Sequence, residues 1–291
     1  MAKESALKKL RKSSISVTDI ASQFWCEKQM ELNYLFGKNN TPAMKRGKEI
    51  HEDLQAEVYV PLNIEPVTYA DYLYKIGYES AMGLETFKSS GLCREVHIFG
   101  SLNGYRISGQ IDELKNEGGN VKIIEVKTVM PIKTSSSIDF SNTKSHIVQI
   151  MLYKKLIDAI RHREYTFYNF TKAYNVINLK LSEEFSRSLH ALGINESYAD
   201  VASVYKDLFS RFASLPSVSD ELEIIYIDRL TGRRIRSITV NYDENAINKD
   251  LKFALQYWNG EREALPVPES EKWKCYLCKF YGKQCKVWYD K

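Results

Sequence analysis

The sequence has no long hydrophobic run and few cysteines. No segment approaches the roughly eighteen uninterrupted apolar residues of a membrane-spanning helix, and residues 1–14 (MAKESALKKLRKSS) contain no apolar stretch for a secretory signal. With 44% hydrophobic and 27% charged side chains over 291 residues, disorder, collagen and coiled coil are excluded. We expect a soluble intracellular protein, cytoplasmic or in the nucleoid or nucleus, with no membrane partner and no mitochondrial transit peptide.

The chain has five cysteines, an odd number that argues against a disulfide framework in a protein without a secretory signal. Cys275, Cys278 and Cys285 lie close together near the C-terminus, whereas Cys26 lies near the N-terminus and Cys93 stands alone. This distribution predicts a metal site that ties the two ends of the chain together. Four thiolates fit either a [4Fe-4S] cluster or a tetrahedral zinc ion, and the spacing does not separate these alternatives. Cys93 is predicted to be an apolar, structural thiol.

Positive charge is concentrated at the two ends of the chain. The formal net charge is +4, but residues 1–14 and residues 271–291 each carry a net +4, which leaves the middle at −4. Basic ends around an acidic body suit a protein that holds a polyanion while keeping carboxylates in a central site.

The sequence predicts a flexible basic arm over residues 1–14 and one α/β domain over 15–291. Ser16 or Thr18 begins a first helix, which carries Cys26, and the second helix places His51 beside its apolar face. Further helices are predicted over 69–88, 146–160, 182–213 and 244–258.

Alternation of apolar and polar residues from Glu95 onward predicts a three-strand meander. Residues 131–145 are interpreted as a mobile polar flap. Strands are also expected around FYNF and VINLKL, so that the core spans about 92–180, and a hairpin is expected over 222–240. The cysteine segment then occupies 273–288.

The central candidate site combines Asp112 with Glu125 and Lys127. Glu125 and Lys127 are two residues apart on one strand and therefore point to the same face, while the meander brings that strand beside Asp112. Two carboxylates suit Mg²⁺ or Mn²⁺, and the lysine can orient a water and offset phosphate charge. This combination indicates metal-assisted phosphodiester hydrolysis. His51 is a chemically reasonable third ligand.

Gln149 and Tyr153 lie four residues apart on the predicted helix 146–160, so both project from one face. An amide beside an aromatic ring could orient the site or hold a nucleotide.

Taken in order, His51, Gly109 to Asp112, Glu125-Val126-Lys127 and Gln149-x-x-x-Tyr153 resemble the RecB-like branch of the PD-(D/E)XK nucleases. The resemblance implies a restriction-endonuclease-like core, a mixed sheet flanked by helices. It implies that the matching His, Asp and Glu bind the metal, that the lysine assists hydrolysis, and that the Gln-Tyr pair supports the site and the DNA. Glu95 matches an acidic position before the Asp strand.

The segments ISVTDIASQFWCEKQMEL, AMKRGKEIH and KCYLCKFYGKQCKVW resemble the exonuclease V family, whose members degrade single-stranded DNA. This resemblance favours the [4Fe-4S] cluster on Cys26, Cys275, Cys278 and Cys285. The other near relative is the CRISPR-adaptation nuclease, which has less sequence between the Gln-Tyr helix and the last cysteines.

These features together predict a metal-dependent exonuclease on single-stranded DNA that acts in repair or replication, with a single-strand-binding protein or a helicase as its partner. The candidate phosphate contacts are Lys45, Arg46, Arg233, Arg234 and Arg236. Three alternatives remain open. One is a CRISPR-adaptation type nuclease. The second is a DNA-binding module whose nuclease site is vestigial or serves a partner helicase, with a purely structural cluster. The third is a non-enzymatic nucleic-acid adaptor whose cysteines hold zinc.

Overall fold

A mixed six-stranded sheet organises the chain. The computed structural model describes residues 4–38, 41–130 and 143–289. Residues 131–142 of the flap predicted over 131–145 lie outside the described residues, and residues 143–145 differ from the prediction because they form the start of a helix. The strands are β1 (Ile15–Ser16), β2 (Leu92–Leu102), β3 (Tyr105–Glu117), β4 (Asn120–Val129), β5 (Glu221–Asp228) and β6 (Arg234–Asn241). They confirm the predicted meander and the C-terminal hairpin.

The strands lie in the order β1-β3-β4-β5-β6, and β2 pairs with β3. The pairs β1–β3 and β4–β5 are parallel, whereas β2–β3, β3–β4 and β5–β6 are antiparallel. A mixed α/β architecture with helices around the sheet is therefore confirmed.

The helices are α1 (Ala6–Lys9), α2 (Val17–Phe36), α3 (Pro42–Ala56), α4 (Tyr69–Ser90), α5 (Thr143–Arg161), α6 (Phe167–Tyr174), α7 (Glu183–Ala191), α8 (Val201–Ala213), α9 (Glu244–Trp258) and α10 (Trp273–Tyr276). α5 packs against α2 and the sheet, and α4 packs against α8 and β2. No helix in the described part of the chain is long and apolar enough to cross a lipid bilayer.

The first long helix begins at Ser16, one of the two predicted caps. The Ser16 hydroxyl accepts a hydrogen bond from the Asp19 backbone N–H (3.0 Å), and the Ser16 N–H donates to the Asp19 carboxylate (2.8 Å). This reciprocal pair satisfies two backbone donors that would otherwise be unpaired at the helix start. The helix is interrupted at Cys26, where the backbone is extended (φ −164°, ψ 107°).

Residues 4–14 differ from the predicted flexible arm because they pack against α2. Ala6 is buried, the Lys9 ammonium lies 2.7 Å from the Glu31 carboxylate, and Lys12 lies 2.9 Å from Asp19. Lys9 and Lys12 are therefore engaged by carboxylates of α2, whereas Lys8 pairs with Glu4 within the segment (3.7 Å).

The strands predicted around FYNF and VINLKL are wrong. FYNF lies in α6, and Val176–Asn178 form a 3₁₀ turn. Aromatic residues favour strands intrinsically, but Phe167, Phe170 and Tyr174 have helical spacing. Phe170 stacks on the Tyr205 ring of α8, with ring centroids 4.2 Å apart, so tertiary packing decides the helix. The helical stretch predicted over 182–213 forms two helices, α7 and α8.

Candidate metal centre and cysteine site

Strands β3 and β4 separate at the candidate centre. Their pairing ends at Glu113 and Ile124, and beyond this point the Val126 N–H donates to the side chain of Asp112 (2.7 Å) instead of to a backbone carbonyl. β4 continues alongside β5 through Val129. The divergence leaves room for side chains between two ordered strands, and it fixes the orientation of the Asp112 carboxylate.

Glu95 on β2 lies opposite Asp112 on β3, since the residue pairs on both sides of them are in register. The backbone of Glu95 is left-handed (φ 55°), which is uncommon for a residue other than glycine. Like charges directly opposite each other on neighbouring strands are destabilising. Two facing carboxylates and a strained backbone are features that concentrate at functional sites, where a cation can offset the repulsion.

His51 of α3 completes a three-residue cluster with these acids. Its Nδ1 lies 2.7 Å from Glu95 Oε1 and 3.9 Å from Asp112 Oδ1. Burial opposes protonation, but the hydrogen bond with Glu95 and the charge of Asp112 prevail and raise the pKa of His51 to about 9. One ligand atom from each of these three residues lies within 4.8 Å of the other two.

Glu125 does not join this group within 4.8 Å, although the sequence predicts it as a ligand. Its side chain is fully buried and forms an ion pair with Lys127, as expected for residues two apart on one strand. Burial and the charge of Asp112 raise the pKa of Glu125, so the two acids are close neighbours. Within the described residues, no group donates a well-aligned hydrogen bond to either Glu125 oxygen.

Gln149 and Tyr153 lie behind Lys127. The Lys127 ammonium donates to Gln149 Oε1 (3.1 Å), and Gln149 Nε2 donates to the Tyr153 hydroxyl (3.3 Å). Tyr153 is only 1% exposed, and its ring contacts Gly109, where an added Cβ would lie 2.6 Å from the ring. The pair therefore holds the lysine in place from inside the protein, and Tyr153 does not present its ring for stacking on a base.

The predicted phosphate contacts are all exposed, but the structure separates them. Lys45 and Arg46 lie on α3, where Arg46 pairs with Glu49 (3.2 Å). Arg233 lies in the hairpin turn. A register shift in the hairpin sets Arg236 opposite Tyr226 but Arg234 opposite Ile227, so the two arginines face opposite sides of the sheet. Of these two arginines, only Arg236 has its side chain on the face of the sheet that carries the side chains of Tyr226 and its neighbour Lys127.

The four cysteines predicted as ligands line one cavity, together with Trp25, Gln29 and Lys274. The break in α2 presents Cys26 to this cavity, and the Gln29 N–H donates to its sulfur (3.4 Å). Burial raises the pKa of Cys26, and the neighbouring thiols of Cys278 and Cys275 raise it further. Cys93 is fully buried in the main core, away from this cavity, in agreement with its predicted structural role.

Two residues near Lys127 were missed by the sequence reasoning. Tyr226 is the direct neighbour of Lys127 on the parallel strand β5, and His146 of α5 lies 3.1 Å from the Tyr226 hydroxyl through its Nδ1. The position of His146, one helical turn before Gln149, is a signal that could have identified it. Tyr226 carries no local signal, since parallel neighbours are distant in the sequence.

The family model described as "Exonuclease V - a 5′ deoxyribonuclease" matches residues 5–125 and 192–289, which together make up more than half of the chain. The chain belongs to the exonuclease V family. Exonuclease V of Danio rerio is 29% identical to it over 306 aligned residues, which cover 97% of this chain and 72% of the fish protein. Membership of the exonuclease V family supports a DNA exonuclease activity for this protein.

Two solved structures are also similar to this exonuclease V family member. The protein SSO0001 is 17% identical, with a TM-score of 0.41 over 97% of this chain and 94% of its own. A candidate exonuclease from Eubacterium rectale is 14% identical, with a TM-score of 0.39 over 88% of this chain and 85% of its own.

Proposed function

We propose that this protein hydrolyses phosphodiester bonds of single-stranded DNA with the help of Mg²⁺ or Mn²⁺ bound at Asp112. The observation that carries the proposal is the convergence of His51, Glu95 and Asp112 next to the Glu125–Lys127 pair. Carboxylate oxygens are the ligands that these hard cations prefer, and the histidine adds a nitrogen ligand. The order of these residues on β3 and β4 supports a RecB-like PD-(D/E)XK core.

The donor set fits a divalent cation. Glu95 and Asp112 face each other, and the buried Glu125 lies near Asp112 without a well-aligned hydrogen bond from the described residues. Buried charges need partners, and a cation supplies one. We propose His51, Glu95, Asp112 and Glu125 as the residues that hold it. When bound, the cation would polarise the scissile phosphate and lower the pKa of its water.

Lys127 contributes a positive charge at a fixed position. Its ammonium lies between the Glu125 carboxylate and the Gln149 amide, and Tyr153 fixes that amide in turn. A charge held in this way can orient the attacking water and stabilise the negative charge that develops on the phosphate, without reorganising during the reaction.

We further propose that Cys26, Cys275, Cys278 and Cys285 bind a [4Fe-4S] cluster. A tetrahedral zinc ion with Zn–S bonds of about 2.3 Å would hold its sulfurs about 3.8 Å apart. Among the described residues, no three thiols lie within 4.8 Å of one another, although all four line one cavity. A cluster suits this wider spacing, because each thiolate binds a different iron.

The test of the nuclease proposal uses single-stranded DNA labelled separately at its 5′ and 3′ ends, with Mg²⁺ or EDTA. Wild-type protein should degrade the DNA only with the metal, and Asp112→Asn should not degrade it. The 5′ label should be released first, because the family is described as a 5′ deoxyribonuclease. If cluster-loaded wild type leaves the DNA intact, the proposal is wrong.

The cluster proposal is tested on protein purified without oxygen. A brown preparation that absorbs near about 400 nm, with four iron and four sulfide per chain, would support it. A colourless preparation that contains one zinc ion would contradict it. Repair or replication as the pathway, and a single-strand-binding protein or a helicase as the partner, stay proposals from the sequence resemblance.

A further inference from the structure

We propose that His146 is a positioning residue that donates a hydrogen bond from its Nε2–H to a DNA backbone oxygen next to Lys127. The proposal rests on the nuclease function above and deepens it, because it adds a substrate contact that the acidic motif does not contain. It is carried by the position of His146 in a cleft and by the way its other ring nitrogen is held.

The cleft lies between α2 and α5, has a volume of about 390 Å³ and is lined mainly by polar side chains. His146 lines it together with Lys127 and Gln149 on one side and Gln29 and Asn33 of α2 on the other. A strand whose scissile phosphate reaches Lys127 would therefore place neighbouring backbone groups against His146. Hydrogen bonds to phosphate oxygens fix the register of a nucleic acid on a protein.

The tautomer of His146 follows from a chain of hydrogen bonds. The Thr143 side chain hydrogen-bonds to the Tyr226 hydroxyl, and a phenol is a stronger hydrogen-bond donor than the N–H of a neutral imidazole. Tyr226 is then able to donate its own proton to His146 Nδ1, 3.1 Å away. A neutral imidazole that accepts at Nδ1 carries its proton on Nε2. The chain Thr143–Tyr226–His146 therefore leaves an N–H donor on the other side of the ring.

The surroundings keep this donor neutral. Burial and the charge of Lys127 lower the pKa of His146 to about 3. A neutral donor beside the ammonium avoids the repulsion that a second cation would bring, and it still satisfies a phosphate oxygen. Among the described residues, none hydrogen-bonds to Nε2.

The neighbouring Ser145 shows what a purely structural contact at this position does. Its hydroxyl donates to the Ala21 carbonyl of α2 (2.8 Å) and thereby joins the two helices that form the cleft. His146 makes no such bond to α2 in the described structure; its Nδ1 is directed to the sheet. The two adjacent side chains therefore have separable roles.

The test measures DNA affinity and cleavage separately. Binding of a fluorescent single-stranded oligonucleotide is measured with Ca²⁺, and cleavage is measured with Mg²⁺, for wild type, His146→Ala, His146→Gln and Tyr226→Phe. We expect His146→Ala to weaken binding and raise KM about tenfold with a smaller change in kcat. His146→Gln keeps an N–H donor and should recover most of the loss, and Tyr226→Phe should lose about threefold.

Two controls separate contact from folding. His162→Ala removes an exposed histidine that directly follows the last residue of α5, and it should change neither binding nor cleavage. Oligonucleotides with a single methylphosphonate linkage remove one phosphate charge at a time. At one position this linkage should lower the affinity of the wild type, whereas it should leave the already weakened affinity of His146→Ala unchanged. Normal binding and cleavage by folded His146→Ala would overturn the proposal, as would an equal methylphosphonate loss in both proteins.

A failure of the nuclease proposal gives a different result. If no preparation cleaves DNA but His146→Ala still weakens binding with rescue by His146→Gln, the contact is supported and the nuclease function is not. If His146→Ala does not fold, His146→Gln and Tyr226→Phe are compared with wild type on the methylphosphonate series, and this comparison still decides whether His146 contacts the DNA backbone.

Discussion

The candidate metal centre and the cysteine site differ in how far apart in the chain their residues lie. Glu95, Asp112, Glu125 and Lys127 belong to three consecutive strands, and only His51 comes from elsewhere. The cysteine site joins Cys26 to residues 275–285, almost the whole chain away. The first site is therefore assembled by local strand pairing, and the second requires the ends of the chain to meet.

The two regions also differ in what holds them. Long antiparallel ladders hold the acidic site, together with the bond from the Val126 N–H to Asp112. The cysteine segment has one short helix, α10, an isolated bridge between Tyr281 and Cys285, and a bond from the Trp288 indole to the Val267 carbonyl. A regular sheet keeps its shape without a ligand, whereas a segment with so little regular structure would gain most of its stability from the metal proposed to bind there.

One segment links the two regions. Trp25, Cys26 and Gln29 line the cysteine cavity and also the cleft that contains Lys127. Loss of the metal proposed at the cysteine site should therefore alter the cleft proposed to bind DNA, through the broken part of α2, whereas substitutions at Lys127 should not affect the cysteine site.

The largest effect is expected for Lys127→Ala. Cleavage should fall about 10³-fold because the fixed charge beside the scissile phosphate is lost. Single-turnover degradation of labelled DNA measures this, and we expect DNA binding and absorbance near 400 nm to stay close to wild type. A parallel loss of binding would show that Lys127 mainly holds the substrate. Glu125→Ala and Asp112→Ala should likewise abolish cleavage.

Cys26→Ala should disturb the other region. We expect loss of the bound metal and a fall in the free energy of unfolding on the order of 3 kcal/mol, because the link between the chain ends is removed. Cys93→Ala is the matched control, since that thiol is buried in the main core; it should cost about 1 kcal/mol and keep the colour. Denaturant unfolding with absorbance as a second probe measures both. Unchanged colour in Cys26→Ala would contradict the assignment.

Gly109→Ala should damage the acidic region from within. The added Cβ would lie 2.6 Å from the Tyr153 ring and 3.0 Å from a methyl group of Val17. We expect a loss of about 2 kcal/mol from overpacking, and reduced cleavage because Tyr153 positions Gln149 and thus Lys127. Thermal unfolding and cleavage are measured together. Gly118→Ala is not a suitable control, because the backbone of Gly118 has a positive φ at which alanine is strained. Ser145→Ala is the better control, since it removes one contact between helices without adding volume.

The smallest effect concerns the acid stability of the sheet. Burial lowers the pKa of His97 on β2 to about 4, below its ordinary value near 6.5. His97 therefore binds a proton more readily in the unfolded chain than in the folded protein. Its contribution to stability is full above pH 6.5 and is lost as the pH falls towards 4. His97→Gln should reduce the loss of stability between pH 7.5 and 5.5 by about 1 kcal/mol, as measured by urea unfolding. An unchanged pH slope would show that His97 titrates normally.

Local sequence pattern was sufficient to predict the structure of much of the molecule. Ser16 is a cap because its hydroxyl and the Asp19 carboxylate satisfy backbone groups within one turn. The meander follows from alternation, and the common face of Glu125 and Lys127 follows from the period of two. Local pattern failed at FYNF, where packing of Phe170 on Tyr205 overrides the strand preference of aromatic residues.

The sequence by itself determined the residue types, the spacing and the strand face of the acidic motif, because these depend on neighbours within about thirty positions. Only the tertiary structure decided that Glu95 faces Asp112 with a left-handed backbone, that Tyr153 is buried, and that His146 and Tyr226 flank Lys127. These contacts join segments that are far apart in the chain. Their geometry depends on strand register and helix packing, which no local pattern specifies.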